Sequence, residues 1–180
     1  GIEMNILITG GAGFVGCNVA NYYLNRKCSV EIFDNLSRKG TTYNYQWLKG
    51  NHKNNFSFVK GDIRTDIDKL KTAVTRAEIV FHFAAQVAVT TSIIDPKEDF
   101  EVNAKGTLNV LEAIRETGSK PILIFSSTNK VYGDLEKLTI IEKSKRFDFK
   151  DRLFAVNEEA PLDFHSPYGC SKGCADQYVR

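Results

Sequence analysis

No stretch of this sequence approaches the roughly 20 apolar residues a membrane-spanning helix needs, and no signal-peptide pattern precedes its first apolar run. A cytoplasmic protein with no membrane partner is the expectation. Cysteine is scarce. Cys17, Cys28, Cys170 and Cys174 form no CxxC pair, and His52, His82 and His165 stand at no metal-ligand spacing. No metal site is expected, and the cysteines read as small reduced side chains, with Cys170 and Cys174 able to share a helix face. An excess of charge is also missing. Lys and Arg number 24 against 22 Asp and Glu, for a net charge of +2. That balance argues against a nucleic-acid partner. The one basic cluster, Lys143, Lys145, Arg146, Lys150 and Arg152, is interrupted by Phe147, Asp148, Phe149 and Asp151. It reads as a solvated loop, with contact to an anionic ligand as the sharper alternative. There is no internal repeat and no low-complexity tract.

What remains is 180 residues of ordinary globular composition, 42% hydrophobic and 26% charged, enough for one domain with a core. Short apolar runs alternate with longer helical patterns, the signature of an α/β protein built on a parallel sheet. Strands are expected in MNILITG (4–10), SVEIFD (29–34), FSFVKGD (56–62), EIVFHFAA (78–85) and PILIFSS (121–127). Helices are expected over 14–27, 43–48, 67–74 and 99–118, and again around Tyr168. In the first of these, Phe14, Val15, Val19, Tyr22 and Tyr23 supply the helical spacing. Residues 133–166 read as a long loop, with a hairpin in the alternating RFDFK (146–150). A loop of that length inside a compact domain is usually functional or disordered.

The first strand runs into LITGGAGFVG (7–16), where Gly10, Gly13 and Gly16 are spaced GxxGxxG between a strand and a helix. In that context the pattern is a dinucleotide-binding fingerprint. Gly10 turns the chain out of the strand, Gly13 leaves room for a phosphate, and Gly16 lets the helix pack close on the sheet. Phe14 and Val15 begin the helix, whose free N–H groups and positive end suit a pyrophosphate. Asp34, 24 residues after Gly10, ends the second strand. An acid there accepts from ribose hydroxyls and repels a 2′-phosphate, which favours NAD over NADP. Asn35, Ser37 and Arg38 follow it, and Arg38 pulls the other way, because a guanidinium attracts that phosphate.

At the other end, Tyr168 and Lys172 are four apart on one helical face. A free phenol ionises near pH 10, and a neighbouring ammonium stabilises the phenolate. Such a pair can take a proton from an alcohol beside a nicotinamide, and Lys172 can also hold the cofactor's ribose. Thr128, just past the fifth strand and two residues after Ser126 near its end, stands where ligands collect in parallel sheets. Its hydroxyl can bond the oxygen that passes between alcohol and ketone; capping a turn is its plainer role.

The motifs TGxxGFxG, GDIR (61–64), HFAAQ (82–86), VNAKGT (102–107), SSTNKVYG (126–133) and YxxxK occur in one order along nearly the whole chain. In this the sequence resembles the extended short-chain dehydrogenases/reductases, the NAD-dependent epimerase/dehydratase family. The resemblance implies a Rossmann-like, doubly wound parallel sheet. It implies that residues 1–180 are its NAD-binding domain, the N-terminal portion, with the C-terminal substrate domain absent. It places Asp62 and Ile63 beside adenine, Ala84, Ala85 and Gln86 along the path to the nicotinamide ribose, and Asn103 in support of the active-site helix. It also implies a homo-oligomer joined through helices that include 99–118 and 167–180. Family members that dehydrate sugars carry an acid pair, TDEVYG, where this chain has Asn129 and Lys130. The stretches FDNLSRKG (33–40), QVAVTTSI (86–93) and LDFHSPYGCSKG (162–173) are similar to members that epimerise C2 of a CDP-linked 3,6-dideoxyhexose. On that likeness the substrate is a CDP-linked nucleotide sugar, and the 180 residues alone bind NAD weakly or not at all and turn over no sugar. Residue chemistry by itself chooses neither carbon nor nucleotide. A nucleotide-sugar 4-epimerase, another nucleotide-sugar oxidoreductase and a non-catalytic dinucleotide-binding module stay open.

Overall fold

The computed structural model describes residues 4–136, 138–150 and 156–180; Arg152 of the basic cluster lies outside them. Five strands, β1 (Asn5–Thr9), β2 (Ser29–Asp34), β3 (Phe56–Lys60), β4 (Ile79–His82) and β5 (Ile122–Phe125), form one sheet in the order β3-β2-β1-β4-β5. Every pairing is parallel, with Asn5 opposite Ser29, Val30 opposite Phe56, Ile6 opposite Ile79 and Ile79 opposite Ile122. This is the doubly wound arrangement, and the order reverses between β1 and β4.

Side chains alternate along β1, so the sheet feeds two cores. Ile6 and Ile8 join Cys17, Ala20 and Leu24 of α1 (Phe14–Leu24), together with Val30, Ile32 and Leu48 of α2 (Thr41–Asn51). Leu7 joins Phe33, Leu70 and Val74 of α3 (Ile67–Arg76), and Val110 and Ala113 of α6 (Gly106–Thr117). A fully buried Leu, Ile or Val contributes about 1.5–3 kcal/mol, so these two clusters account for the rigidity of the platform.

α1 corrects the expected face. Gly16, Cys17, Ala20 and Leu24 are buried, whereas Phe14 is 82% and Val15 55% exposed. The helix lies close to the sheet, so small residues face inward; Phe14, Val15 and Tyr22 turn outward, whereas Val19 and Tyr23 pack partly against the core as expected. The segment expected as one helix over 99–118 is composite. α5 (Pro96–Phe100) runs into a π-helical turn, Glu101–Lys105, and then into α6. A six-residue helix, α4 (Val89–Ile94), precedes it. After β5 come a 3₁₀ turn (Asn129–Tyr132), the antiparallel pair β6 (Ile140–Glu142) and β7 (Phe147–Phe149), and α7 (Pro167–Val179). The RFDFK stretch thus supplies one strand of the hairpin, and residues 140–142 supply the other. In the hairpin Lys143 and Arg146 both bind Asp148, at 2.7 and 3.0 Å, and hold its carboxyl down at about 2. The basic cluster is partly neutralised by its own aspartate.

Candidate functional site: a glycine-lined crevice beside a buried tyrosine and lysine

An open crevice of about 350 Å³ lies at the carboxyl ends of β1, β2 and β4. Such crevices form where the strand order reverses and neighbouring loops diverge. Gly10 and Gly13 line it from the β1–α1 turn. Gly10 has φ +69°, and a Cβ there would come within 2.6 Å of the Ala84 nitrogen, so only glycine fits both the turn and the approach of β4. At Gly16 a Cβ would overlap the Gly10 carbonyl and lie 2.7 Å from the Gly11 Cα. The N-cap of α1 is Gly13, with no side-chain cap and no acid in the first turn. The first N–H groups of α1, those of Phe14, Val15 and Gly16, have no partners within the helix. Their positive end is unneutralised. The side chains of Phe14 and Val15 point outward, so what these two residues present at the start of α1 is their backbone.

Asp34, Asn35, Ser37 and Arg38 line the crevice after β2. The Asp34 carboxylate accepts from the Ala12 N–H at 3.0 Å and the Leu36 N–H at 2.8 Å. Burial pushes its carboxyl up, against those two hydrogen bonds and the Arg38 charge. Asn35 donates to Asp62 at 3.1 Å and accepts from the Ser37 N–H. Asp62 and Ile63 line the same wall. Asp62 is tied to Arg64 through both oxygens, at 2.9 and 2.7 Å, and Arg64 reaches on to Glu98 at 2.5 Å. The Arg64 hydrogen bonds hold the Asp62 carboxyl down at about 2. Ala84, Ala85 and Gln86 complete the lining from β4.

The remaining expected residues do not line the crevice. Asn103, Tyr168 and Lys172 form a buried polar cluster beside α7, with Ser126 exposed and Thr128 half-buried at its edge. Asn103 sits in the π-helical turn and is 1% exposed. Its Oδ1 accepts from the Gln86 N–H at 2.8 Å, and its Nδ2 donates to the Gln86 carbonyl at 3.0 Å and to Ser171 Oγ at 3.0 Å. One asparagine thus ties the crevice wall to α7. π-turns inside α-helices are frequent at functional sites. α7 starts from Ser166, whose side chain accepts from the Gly169 N–H, with Pro167 in the first turn. Tyr168 and Lys172 are both buried, 8% and 4% exposed. The Tyr168 N–H donates to Ser92 Oγ at 3.1 Å. Lys172 Nζ donates to the Ser126 carbonyl at 2.6 Å and stands 4.3 Å from the Phe125 ring centroid. Burial pushes the Lys172 ammonium down to about 8, with Asp176 and then Asp99 opposing. Thr128 caps the 3₁₀ turn, its hydroxyl accepting from the Lys130 N–H at 3.3 Å. Cys170, one position before the buried Ser171, is exposed, and all four cysteines are free. Among the described residues no His, Cys, Asp or Glu group could hold a metal.

Several members of this cluster are not announced by the sequence. Ser92 lies on α4, a helix outside the expected set. His82 is fully buried between Thr9 and Thr107, at 2.6 and 2.8 Å, and burial, with the Lys172 charge, pushes it down to about 3. Asp99 binds Gln86 and Asn103. Its one signal is the i,i+4 spacing to Asn103.

The sequence profile of the family described as GDP-mannose 4,6 dehydratase matches residues 7–180. The chain belongs to this epimerase/dehydratase family. The CDP-paratose 2-epimerase of Salmonella typhi is 51% identical over 98% of this chain and 52% of its own length. Among solved structures, the UDP-Glc/GlcNAc 4-epimerase of Campylobacter jejuni superposes with a TM-score of 0.79 at 29% identity, covering 98% of this chain and 48% of that one. The UDP-glucose 4-epimerase of Thermus thermophilus, solved with NAD, gives 0.75 at 34%, covering 98% and 50%. The chain spans about half the length of the relatives it matches.

Proposed function

We propose that residues 1–180 form the NAD-binding domain of a nucleotide-sugar epimerase, and that it acts at C2 of a CDP-linked 3,6-dideoxyhexose, converting CDP-paratose to CDP-tyvelose. The observation that carries the reading is the pairing of a glycine-lined crevice with a buried Tyr168 and Lys172 one helical turn apart. The residues present fit a dinucleotide. The uncapped start of α1 receives a pyrophosphate, and Asp34 keeps an open lone pair on each oxygen for ribose hydroxyls. Arg38 stands where it can also answer a 2′-phosphate, and the buried Asp34 favours NAD. Bound NAD supplies reversible uptake of hydride from a sugar carbon. Tyr168 takes the proton of the sugar hydroxyl and later returns it. Lys172 keeps a cation close to that phenol, and Asn103 fixes Gln86 against the helix that carries both. Thr128 offers its hydroxyl to the same oxygen, although its oxygen also receives the Lys130 N–H.

Dehydration would need an acid for the leaving hydroxyl, and Asn129 and Lys130 are not acids. This separates the chain from the dehydratases within its family. The 51% identity to a CDP-paratose 2-epimerase supports C2 and cytidine, and the 4-epimerase structures support a 4-epimerase as the second reading. The proposal includes a cytoplasmic setting, consistent with four free cysteines. It also includes self-association through α5–α6 and α7, where Phe100 and Tyr178 are exposed. A protein joining these residues to the substrate half should convert CDP-paratose to CDP-tyvelose, followed by NMR of the sugar. Tyr168→Phe should lower conversion by at least about 100-fold and retain NAD. Conversion of UDP-glucose in place of the CDP sugar would establish the 4-epimerase, and an active Tyr168→Phe protein would end the catalytic assignment.

A further inference from the structure

Among the described residues, one buried side-chain oxygen has no hydrogen-bond partner: Oδ2 of Asp99. Asp99 is 1% exposed. Its other oxygen is fully used, accepting from Gln86 Nε2 at 2.8 Å and Asn103 Nδ2 at 3.2 Å. A buried carboxylate with a bare oxygen is costly unless a positive charge or a proton answers it. The neighbouring helix carries a buried cation, Lys172. Lys172 is an ammonium with three donors, and the one recorded among the described residues goes to the Ser126 carbonyl. α5, which carries Asp99, packs directly against α7.

We propose that Asp99 is a positioning residue, the buried counter-charge of Lys172, and that it couples the crevice wall at Gln86 to the helix that carries Tyr168. The inference rests on the reading of Lys172 as part of the cofactor and proton-transfer site. Four titratable groups bear on Lys172. Asp176, on its own helix, acts more strongly than Asp99. His82, on β4, stays neutral because burial and the Lys172 charge hold it down. Tyr168 stands one turn before. The two carboxylates differ in kind. Asp176 is already engaged by Ser127 Oγ and by Arg180 at 3.3 Å, at the rim where salt reaches it. Asp99 is sealed in the core with an oxygen to spare, so its attraction is nearly immune to screening. The same carboxylate holds the Gln86 carboxamide. Crevice wall and ammonium therefore answer to one group.

The test needs neither cofactor nor sugar, so its failure leaves the proposed epimerase reading intact. Lys172 is titrated through its side-chain nitrogen and carbon NMR shifts in this chain. An Asp99→Asn chain keeps an oxygen for Gln86 and Asn103 and loses the charge. Its Lys172 midpoint should fall by about one pH unit, a roughly tenfold loss of proton affinity, and the fall should persist in about 1 M salt. Asp176→Asn should also lower the midpoint, with an effect that shrinks in salt. An unchanged midpoint in Asp99→Asn, or a fall that salt removes, overturns the proposal. Should the variant fail to fold, the native chain decides. The Asp99 carboxyl carbon should show an inflection at the Lys172 midpoint, and a shift that ignores it overturns the proposal.

Discussion

Replacing Lys172 by methionine should make this protein more stable. Methionine fills nearly the volume of the lysine stem and carries no charge. The ammonium falls from 10.5 to about 8 on burial; at about 1.4 kcal/mol per tenfold, the folded state bears about 3 kcal/mol to keep Lys172 charged. Methionine forfeits the hydrogen bond to the Ser126 carbonyl, worth about 1 kcal/mol. The net expectation near neutral pH is a gain of about 2 kcal/mol, or about 4–8 °C in Tm for a domain of this size. The sign has its own pH signature. Below about 8 both folded and unfolded chains hold the Lys172 proton, so the full burden is present. Between about 8 and 10.5 the unfolded chain binds more protons than the folded one, so the native protein gains stability with rising pH. The advantage of Lys172→Met should therefore shrink across that window. Urea denaturation of both proteins at about pH 7 and about pH 10 measures this, because all other titrations are shared and cancel. A variant less stable by about 1 kcal/mol or more near neutral pH, or a gap independent of pH, would refute the reasoning.

Two further outcomes follow from the same geometry. His82 is held down to about 3 from 6.5. Below pH 6.5 the unfolded chain gains a proton that the folded chain refuses, so stability should fall by about 1.4 kcal/mol per pH unit down to about 3, on the order of 5 kcal/mol in all. A His82→Leu chain should show a shallower acid slope in denaturation midpoints despite being less stable at neutral pH; equal slopes would exclude His82 as the cause. Asp34→Asn removes the charge that opposes a 2′-phosphate and leaves Arg38 in place. In the longer protein it should shift the ratio of NAD to NADP affinity by about tenfold toward NADP in fluorescence titrations, and an unchanged ratio would remove Asp34 from the ribose site.

How much of this is legible in sequence depends on which force sets each feature. The five strands are visible because parallel strands covered on both faces read as apolar runs, and LITGGAGFVG dictates the first turn through steric needs that glycine alone meets. The inner face of α1 is not visible. Apolar spacing suggests Phe14, Val15 and Tyr22 as well as Tyr23, but a helix that lies against its sheet is ruled by close approach, so Gly16, Cys17 and Ala20 face inward beside the partly buried Tyr23. α4 is hidden because VTTSII is rich in β-branched residues and only six long, with no helical period to read. The role of Asn103 comes from family likeness. Its geometry depends on a π-turn, and no sequence period announces one. Asp99 is hidden for a simpler reason: beyond Asn103 four residues on, what it meets, Gln86 and α7, is distant along the chain, and an acid in DPKEDFE looks like any solvated helix start.

The sheet leaves one corner bare. Among the described residues β5 pairs with β4 alone, and Ile122 and Ile124, on the face that α1 and α2 cover elsewhere, are 63% and 41% exposed. Apolar area of this kind gains about 25 cal/mol per Å² when covered, and a strand edge with free N–H and C=O groups invites another strand. Whatever settles there, a further part of the polypeptide or a second molecule, is gripped by both forces at once. The end of the sheet farthest from β3 is thus where the described residues hold both uncovered apolar side chains and an unpaired strand edge.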